Sequence, residues 1–233
     1  MVVFDLGGVV FPSPFPVMEE VERTHGLPPK SIARVIRRSG EQGAWAALER
    51  GEISAEDFDE RFREDWLRHG DGGASFRGGA LLEALEKASF GGEVDAGVDA
   101  LLREMRVMRG VRAVALTNNW RGSISREQLL ALEQRFDLVV QSCLAGCRKP
   151  EPRIYAHALE RIRQSLPGCA DVMPHEIAFL DDLGSNLKPA RLLGMHTIHV
   201  APSRPLADAL LELRSLLSSS SSSSSSLSTI SRL

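Results

Sequence analysis

Residues 2–8 read VVFDLGG, and this short stretch is the strongest indication of the fold. A run of β-branched and aromatic residues such as Val2, Val3 and Phe4 is typical of a buried strand. The glycine pair after it indicates a tight turn. The stretch therefore predicts a first strand that carries Asp5 at its carboxyl end, which is where open α/β sheets bind their ligands.

Strand-like and helix-like segments alternate along the second half of the chain. This alternation predicts an α/β fold with a doubly wound parallel sheet. The predicted strands lie at residues 111–116, 136–140, 177–180 and 197–200, and the predicted helices lie near residues 126–132, 152–163 and 187–193.

A long helical region separates the first strand from this repeat. Apolar residues recur at helical spacing through most of the region, and Ser54, followed by acidic residues, fits a helix N-cap. Glycines at residues 70–79 predict a loop inside it. We expect an α-helical cap over the sheet edge, inserted after the first strand. The expected divisions are a core domain at residues 1–14 and 109–217 and a helical cap at residues 15–108.

The chain ends in a serine tract that is unbroken from Ser218 to Ser226. Serine side chains bury too little apolar surface to offset the entropy lost on ordering. We therefore expect residues 218–233 to be a disordered tail.

Composition excludes several classes of partner. The 233 residues carry a net charge of only −3, which argues against a dedicated nucleic-acid or membrane-surface protein. No apolar run is long enough to span a bilayer. The three cysteines are an odd number in a chain of this size, so we interpret them as reduced thiols and expect a cytoplasmic protein. The oligomeric state is not predicted.

Polar side chains follow the predicted strands at four points. Each has a simple interpretation by itself, as a turn, a helix cap or a solvated lysine. Together, at the same edge of one sheet, they predict a single polar site. The four points are Asp5, Thr117-Asn118, Lys149-Pro150 and Asp181-Asp182.

These points and their neighbours resemble the four motifs of the haloacid dehalogenase (HAD) superfamily of hydrolases. Within it, the likeness is to the amino-terminal phosphatase-like domains of soluble epoxide hydrolase and of acyl-CoA dehydrogenase family member ten. The resemblance covers nearly everything before the serine tract and implies a HAD-like Rossmannoid core with a cap. The motifs are FDLGGVV at residues 4–10, LTN at 116–118, RKP at 148–150 and FLDDLGSN at 179–186.

The resemblance implies a phosphatase that acts on a small organic phosphate. Asp5 would be the nucleophile and form an aspartyl phosphate. Lys149 would neutralise Asp5 and the phosphate. Thr117 and nearby backbone N–H groups would hold the phosphoryl group. Asn118 is also part of the implied catalytic set.

A Mg²⁺ cofactor is also implied by the resemblance, because a carboxylate and a phosphate repel each other. Mg²⁺ prefers oxygen ligands. Asp5, the backbone carbonyl of Gly7 and Asp182 would supply them. Asp181 would hold a metal-bound water, and Asn186 would orient Lys149 or the metal ligands.

Gly7 departs from the family pattern. Phosphatases of this family usually carry a second aspartate there, which protonates the leaving group and later activates water. Losing a general acid typically costs ~10²–10⁴ in rate unless the cap supplies another. Glu52 and Asp57 are candidates, although a solvated helix face is the expected role for both. A positive φ is one structural reason for glycine at residue 7.

Three functions therefore compete. The first is the Mg²⁺-dependent phosphatase, and the second is a catalytically weak domain that binds a phosphometabolite or a protein partner, as Gly7 suggests. The third is a metal-free dehalogenase, which is disfavoured because Asp181 and Asp182 would repel each other without a cation. Epoxide hydrolysis and acyl-CoA dehydrogenation are not expected, since the chain ends before a further domain. Trp45 and Trp66 are expected to pack inside the cap rather than line a pocket.

Overall fold

Five parallel strands form one sheet in this computed structural model, which describes residues 1–70, 76–89 and 93–225. Their order is β3-β2-β1-β4-β5, so the first strand is central and pairs Val2 with both Ala113 and Ala178. The parallel α/β prediction is confirmed. The strands are β1 (Val2–Phe4), β2 (Ala113–Thr117), β3 (Leu138–Gln141), β4 (Ala178–Asp181) and β5 (His196–His199).

The predicted strand bounds shift by one or two residues. The apolar runs predicted that the second strand ends at residue 116 and the fourth at residue 180. The pairing with the neighbouring strands continues through Thr117 and Asp181. Backbone pairing extends past the apolar run because it does not depend on side-chain polarity. Thr117 and Asp181 are therefore the last residues of their strands, and Asp5, Asn118 and Asp182 directly follow strands.

Eleven α-helices, joined by loops and two short 3-10 helices, make up the other regular structure of the described residues, and no described helix is long and apolar enough to cross a membrane. The predicted N-cap is confirmed, because the Ser54 hydroxyl accepts a hydrogen bond from the Asp57 backbone N–H at 3.1 Å. The helices are α1 (Phe15–Thr24), α2 (Ser31–Ser39), α3 (Ala44–Glu49), α4 (Ala55–His69), α5 (Gly79–Ser89), α6 (Ala96–Val107), α7 (Arg126–Glu133), α8 (Ser142–Ala145), α9 (Pro152–Ser165), α10 (Gly184–Leu192) and α11 (Leu206–Ser225). The glycine-rich stretch predicted as a loop lies partly outside the described residues, at 71–75.

The sheet has an apolar layer on each face because successive strand residues point to opposite sides. Val2 and Phe4 pack into one layer, which includes residues of α6, α7 and α11. Val3 packs into the other, which includes residues of α9 and α10. Helices on both faces are what a doubly wound sheet requires.

Helices α1–α5 form a helical insertion with its own apolar core. Phe58, Phe62, Trp66 and Phe76 pack together there, away from both sheet layers. The expected boundary at residue 108 is wrong, because α6 packs on the sheet through residues such as Leu101. Periodicity identified the apolar stripe of α6 but not the surface that it covers.

Helix α11 continues into the serine tract. It is helical as far as Ser225, where the sequence analysis expected disorder, and residues 226–233 lie outside the described chain. Extending an existing helix adds a hydrogen bond for each residue fixed, and serine has only a modest helix penalty. Leu210 and Leu213 fix the start of the helix against the sheet layer.

The end of α3 lies directly on the sheet domain through Gly51. This glycine has φ +68°, and the N–H groups of Gly51 and Glu52 bond the carbonyls of Leu48 and Ala47, as in a Schellman helix end. A Cβ on Gly51 would overlap the Cys143 carbonyl oxygen of α8. The close approach ties the helical insertion to the strand edge.

We predict that Gly51→Ala lowers the free energy of unfolding more than Gly110→Ala does. Gly110 also has a positive φ, of +76°, but nothing lies near its missing Cβ. A left-handed alanine costs about 1–2 kcal/mol, and overpacking adds roughly 1–3 kcal/mol. Urea denaturation measures both variants. Equal losses would mean that the approach to Cys143 relaxes without cost.

Candidate functional site

The carboxyl ends of the strands open into a cavity of about 690 Å³. The helical insertion covers its other side with residues from α1, α2, α3 and α5. The sheet side contains seven of the residues predicted from the sequence, namely Asp5, Gly7, Thr117, Asn118, Lys149, Asp182 and Asn186. The eighth, Asp181, lies buried behind them.

Lys149 joins two of the predicted carboxylates. Its Nζ lies 2.7 Å from Asp5 Oδ1 and 2.8 Å from Asp181 Oδ2, and only 1% of the residue is exposed. Burial alone would lower the pKa of Lys149, but the carboxylates of Asp181 and Asp5 outweigh it and raise that pKa. Lys149 therefore stays a cation, and its ammonium also lies 5.7 Å from the centre of the Phe179 ring.

Asp181 is held by several donors and is fully buried. Its Oδ1 accepts from the Leu183 backbone N–H at 2.8 Å and from Asn186 Nδ2 at 2.9 Å, while its Oδ2 accepts from Lys149. Tyr155 donates to the Asn186 carbonyl at 2.6 Å and so fixes that residue. The Asp181 carboxylate is thus engaged in orienting Lys149, and Asn186 orients Asp181.

Asp182 has a different environment although it is adjacent. Burial, followed by the neighbouring Asp181, raises the pKa of Asp182 to about 6. Among the described residues, no side-chain donor binds its carboxylate, although a backbone hydrogen bond lowers the pKa of Asp182 somewhat, and His199 Nε2 lies 2.9 Å from its carbonyl oxygen. Asp182 is therefore a buried carboxylate without a direct ion pair among the described residues, and the more distant charges of Lys149 and His199 only partly offset its burial.

The three aspartates could together hold a metal ion. One oxygen from each of Asp5, Asp181 and Asp182 lies within 4.8 Å of the others. Burial raises the pKa of Asp5 well above its ordinary value in spite of Lys149. Three carboxylates share one ammonium, so a divalent cation at Asp5 and Asp182 would supply the missing positive charge. The donor set, all oxygen, fits Mg²⁺.

Asn118 holds the backbone of Lys149. Its Oδ1 accepts from the Lys149 N–H and its Nδ2 donates to the Lys149 carbonyl, both at 2.9 Å. These contacts make Asn118 a positioning residue, whereas the sequence analysis put it in the catalytic set. Thr117, the last residue of β2, is buried at the cavity wall, where the sequence analysis expected it.

The two glycines after Asp5 differ in what they require. Gly8 has φ +79°, and a Cβ there would overlap the Asp182 carboxylate, so no other residue fits. Gly7 has no positive φ, and a Cβ would meet only Pro14 Cδ at 3.5 Å, an ordinary contact. The structural explanation offered for Gly7 is therefore wrong, because neither its φ nor the space around its Cβ requires a glycine.

Sequence reasoning missed Glu49, a buried carboxylate from α3 that lines the cavity. It forms an ion pair with Arg148 and lies 3.4 Å from Asn118 Nδ2. Burial raises the pKa of Glu49, and Arg148 opposes that shift. The substitutes considered from the sequence, Glu52 and Asp57, are exposed and lie outside the cavity lining, which agrees with the solvated role expected for them.

The outer part of the cavity is apolar. Trp45 and Trp120 meet edge to face with their ring centres 6.2 Å apart. Trp66 is buried in the insertion core as expected, but Trp45 both packs there and lines the cavity, so the expectation for it is half wrong. The apolar lining consists of Pro14, Phe15, Met18, Ile36, Trp45, Leu85 and Trp120.

Known proteins with a similar sequence include two much longer ones. Acyl-CoA dehydrogenase family member 10 of Mus musculus is 37% identical over 229 residues, which cover 93% of this chain and 19% of that protein. Bifunctional epoxide hydrolase 2 of Rattus norvegicus is 31% identical over 218 residues, which cover 90% of this chain and 37% of that protein. The chain thus spans well under half of either relative.

Two other matches have nearly the same length as this chain. The sesquiterpene phosphatase astK of Aspergillus oryzae is 28% identical over 203 residues, covering 86% of this chain and 89% of that protein. The crystal structure of a HAD family enzyme from Bacteroides thetaiotaomicron superposes with a TM-score of 0.58 at 19% identity, covering 88% of this chain and 94% of that one. The second likeness shows a shared fold.

The family model for haloacid dehalogenase-like hydrolases matches residues 1–194, which include every strand-end residue described above except those of β5. The motif resemblance is thereby confirmed over most of the chain. This protein belongs to the haloacid dehalogenase-like hydrolases.

Proposed function

We propose that this hydrolase is a Mg²⁺-dependent phosphatase that acts on a small organic phosphate through an aspartyl phosphate at Asp5. The observation that carries the proposal is the buried Lys149 ammonium between Asp5 and Asp181, with the carboxylate of Asp182 close to both aspartates. The sesquiterpene phosphatase among the relatives supports the same reaction class.

Asp5 is prepared for attack by the contacts of one of its oxygens. Oδ1 accepts from the Leu6 backbone N–H at 2.7 Å and from Lys149, while no described donor binds Oδ2. We assign the attack on phosphorus to Oδ2. Lys149 would stabilise charge on the phosphoryl group without reorganising, because both carboxylates and Asn118 already hold it.

The residues that would hold Mg²⁺ are Asp5, Asp182 and the carbonyl of Gly7. When bound, Mg²⁺ supplies positive charge that lets a carboxylate and a phosphate approach each other. Asp181 keeps Lys149 in place beside this site. The apolar lining of the cavity would bind the organic part of the substrate. The charged residues at the strand ends would bind its phosphate.

Gly7 favours a second candidate, a weakly active domain that binds a phosphometabolite or a protein. Such a domain would bind inorganic phosphate in the presence of Mg²⁺ but would turn over no ester. A metal-free dehalogenase is disfavoured, because burial and then the neighbouring Asp181 raise the pKa of Asp182, and a reaction without a cation would leave these two carboxylates next to each other. Turnover of p-nitrophenyl phosphate with Mg²⁺ and with a chelator separates the three.

The cysteines support a reducing compartment for this protein. Cys143, Cys147 and Cys169 are all free and buried. Burial raises the pKa of Cys143 and of Cys147, so both remain thiols at neutral pH. We therefore propose a cytoplasmic location.

We predict that Asp5→Asn abolishes turnover of p-nitrophenyl phosphate while the protein stays folded. The amide is close to the carboxylate in shape but is a poor nucleophile and a poor metal ligand. The matched control is Asp137→Asn, since Asp137 also supports the sheet, by accepting from the Ala113 N–H at 2.8 Å, but lies outside the cavity. Substantial turnover by a folded Asp5→Asn protein would remove Asp5 from the nucleophile role.

We predict opposite rankings for Asp182→Ala and Asp181→Ala in two measurements. Asp182→Ala should weaken Mg²⁺ binding more, as measured by calorimetric titration, because it removes a direct ligand. Asp181→Ala should lose more stability, about 3 kcal/mol in urea denaturation, because it removes one partner of a buried ammonium. If Asp181→Ala instead had the larger effect on Mg²⁺, the two roles would be exchanged.

A further inference from the structure

We propose that Glu49 is the general acid and base of this site, supplied by the helical insertion in place of the aspartate that is absent at residue 7. This inference rests on the proposed phosphatase function. It assigns a proton carrier to a reaction that otherwise lacks one, and that carrier belongs to the helical insertion, whereas Asp5 belongs to the sheet domain.

Helix α3 holds Glu49 at a fixed position. At the start of the helix, the Ala44 N–H donates to the Asp65 carboxylate at 2.7 Å, which anchors α3 to α4. At its end, Gly51 lies against Cys143 of the sheet domain. Glu49 is the last residue of α3 and is therefore held between two anchored ends.

The other carboxylates that line the cavity are committed elsewhere or exposed. Asp5 and Asp182 have the roles assigned above. Glu151 is paired with Arg50, with Nη1 and Oε1 3.2 Å apart, and Glu41 is exposed. Only Glu49 is buried in the cavity wall, with 8% of its side chain exposed, and reaches the Asn118 amide beside Thr117.

Two cations, Arg148 and Lys149, and a hydrogen bond with Trp45 favour the carboxylate form of Glu49, but burial outweighs them. Arg148 contacts its carboxylate, and Lys149 lies further away. Burial nevertheless raises the pKa of Glu49 above its ordinary value. A bound phosphate would add negative charge nearby and raise that pKa further, which favours the protonated form just before reaction.

The proton would move twice in one turnover. As the bond from Asp5 Oδ2 to phosphorus forms and the ester P–O bond breaks, the carboxyl proton of Glu49 passes to the leaving oxygen and an alcohol departs. A water then attacks phosphorus and gives a proton to the Glu49 carboxylate. The acyl phosphate bond breaks, phosphate leaves, and both Asp5 and Glu49 return to their starting states.

Arg148 acts through Glu49 in this scheme as a positioning residue. Its guanidinium orients the Glu49 carboxyl group and stabilises the carboxylate that exists between the two steps. Arg148 directly precedes Lys149, so the same loop orients the proton carrier and the ammonium.

The test measures kcat/KM with Mg²⁺ over phosphate monoesters from p-nitrophenyl phosphate to a simple alkyl phosphate. The native protein should hydrolyse both. Glu49→Gln should lose ~10²–10⁴ on the alkyl ester and far less on p-nitrophenyl phosphate, whose leaving group departs as a stable anion. The matched control is Glu151→Gln, which also removes a cavity ion pair between the insertion and the sheet domain and should affect both esters alike.

Gly7→Asp supplies a rescue that a structural role for Glu49 would not show. The space at residue 7 accepts a Cβ, so the combined Gly7→Asp and Glu49→Gln protein should regain alkyl phosphate turnover. Hydrolysis of the alkyl ester by the native protein is a further comparison, and it does not depend on the folding of Glu49→Gln.

Three outcomes would overturn the inference. One is an equal loss on all esters in Glu49→Gln, and the second is a failure of Gly7→Asp to restore alkyl turnover to that variant. The third is a native protein that hydrolyses only aryl esters until Gly7→Asp is introduced. In each case the proposed phosphatase function survives. Absence of turnover of any ester by the native protein would instead reject the function and the inference together.

Discussion

The buried ammonium of Lys149 is the interaction on which the rest of the site depends. A buried charge is stable only with partners at close range, and Lys149 has Asp5 on β1 and Asp181 on β4. The same need explains why Asn118 forms hydrogen bonds with the Lys149 backbone and why Asn186 donates a hydrogen bond to Asp181. The pairing fixes two strands and a loop against one another, and the chemistry of Asp5 follows from that arrangement.

The second constraint is the crowding of three buried carboxylates around one buried ammonium. Asp182 and Asp5 both have raised pKa values, chiefly because they are buried next to other carboxylates. Such a cluster is unfavourable by itself and becomes favourable with a cation, which is the physical reason for proposing Mg²⁺. The same cluster limits residue 8, because a Cβ on Gly8 would overlap the Asp182 carboxylate.

The sheet and its polar edge could be predicted because both depend on local signals. Apolar runs indicated the strands, and parallel strands necessarily bring Asp5, Thr117 and Asp182 to one edge. The position of Glu49 was not predictable in the same way. Helical periodicity identifies the apolar stripe of a helix but not which part of the protein the helix packs against. This is why the sequence analysis could not place Glu49 and assigned α6 to the cap. Glu49 reaches the cavity only because Gly51 brings α3 onto the sheet domain.

The central claim is that a phosphoryl group is carried by Asp5, and mass spectrometry after rapid acid quench during turnover tests it most directly. We predict that the peptide containing Asp5 gains the mass of a phosphoryl group, and only while substrate and Mg²⁺ are both supplied. Steady turnover with no phosphorylated peptide, or with the phosphoryl group on another residue, would contradict it.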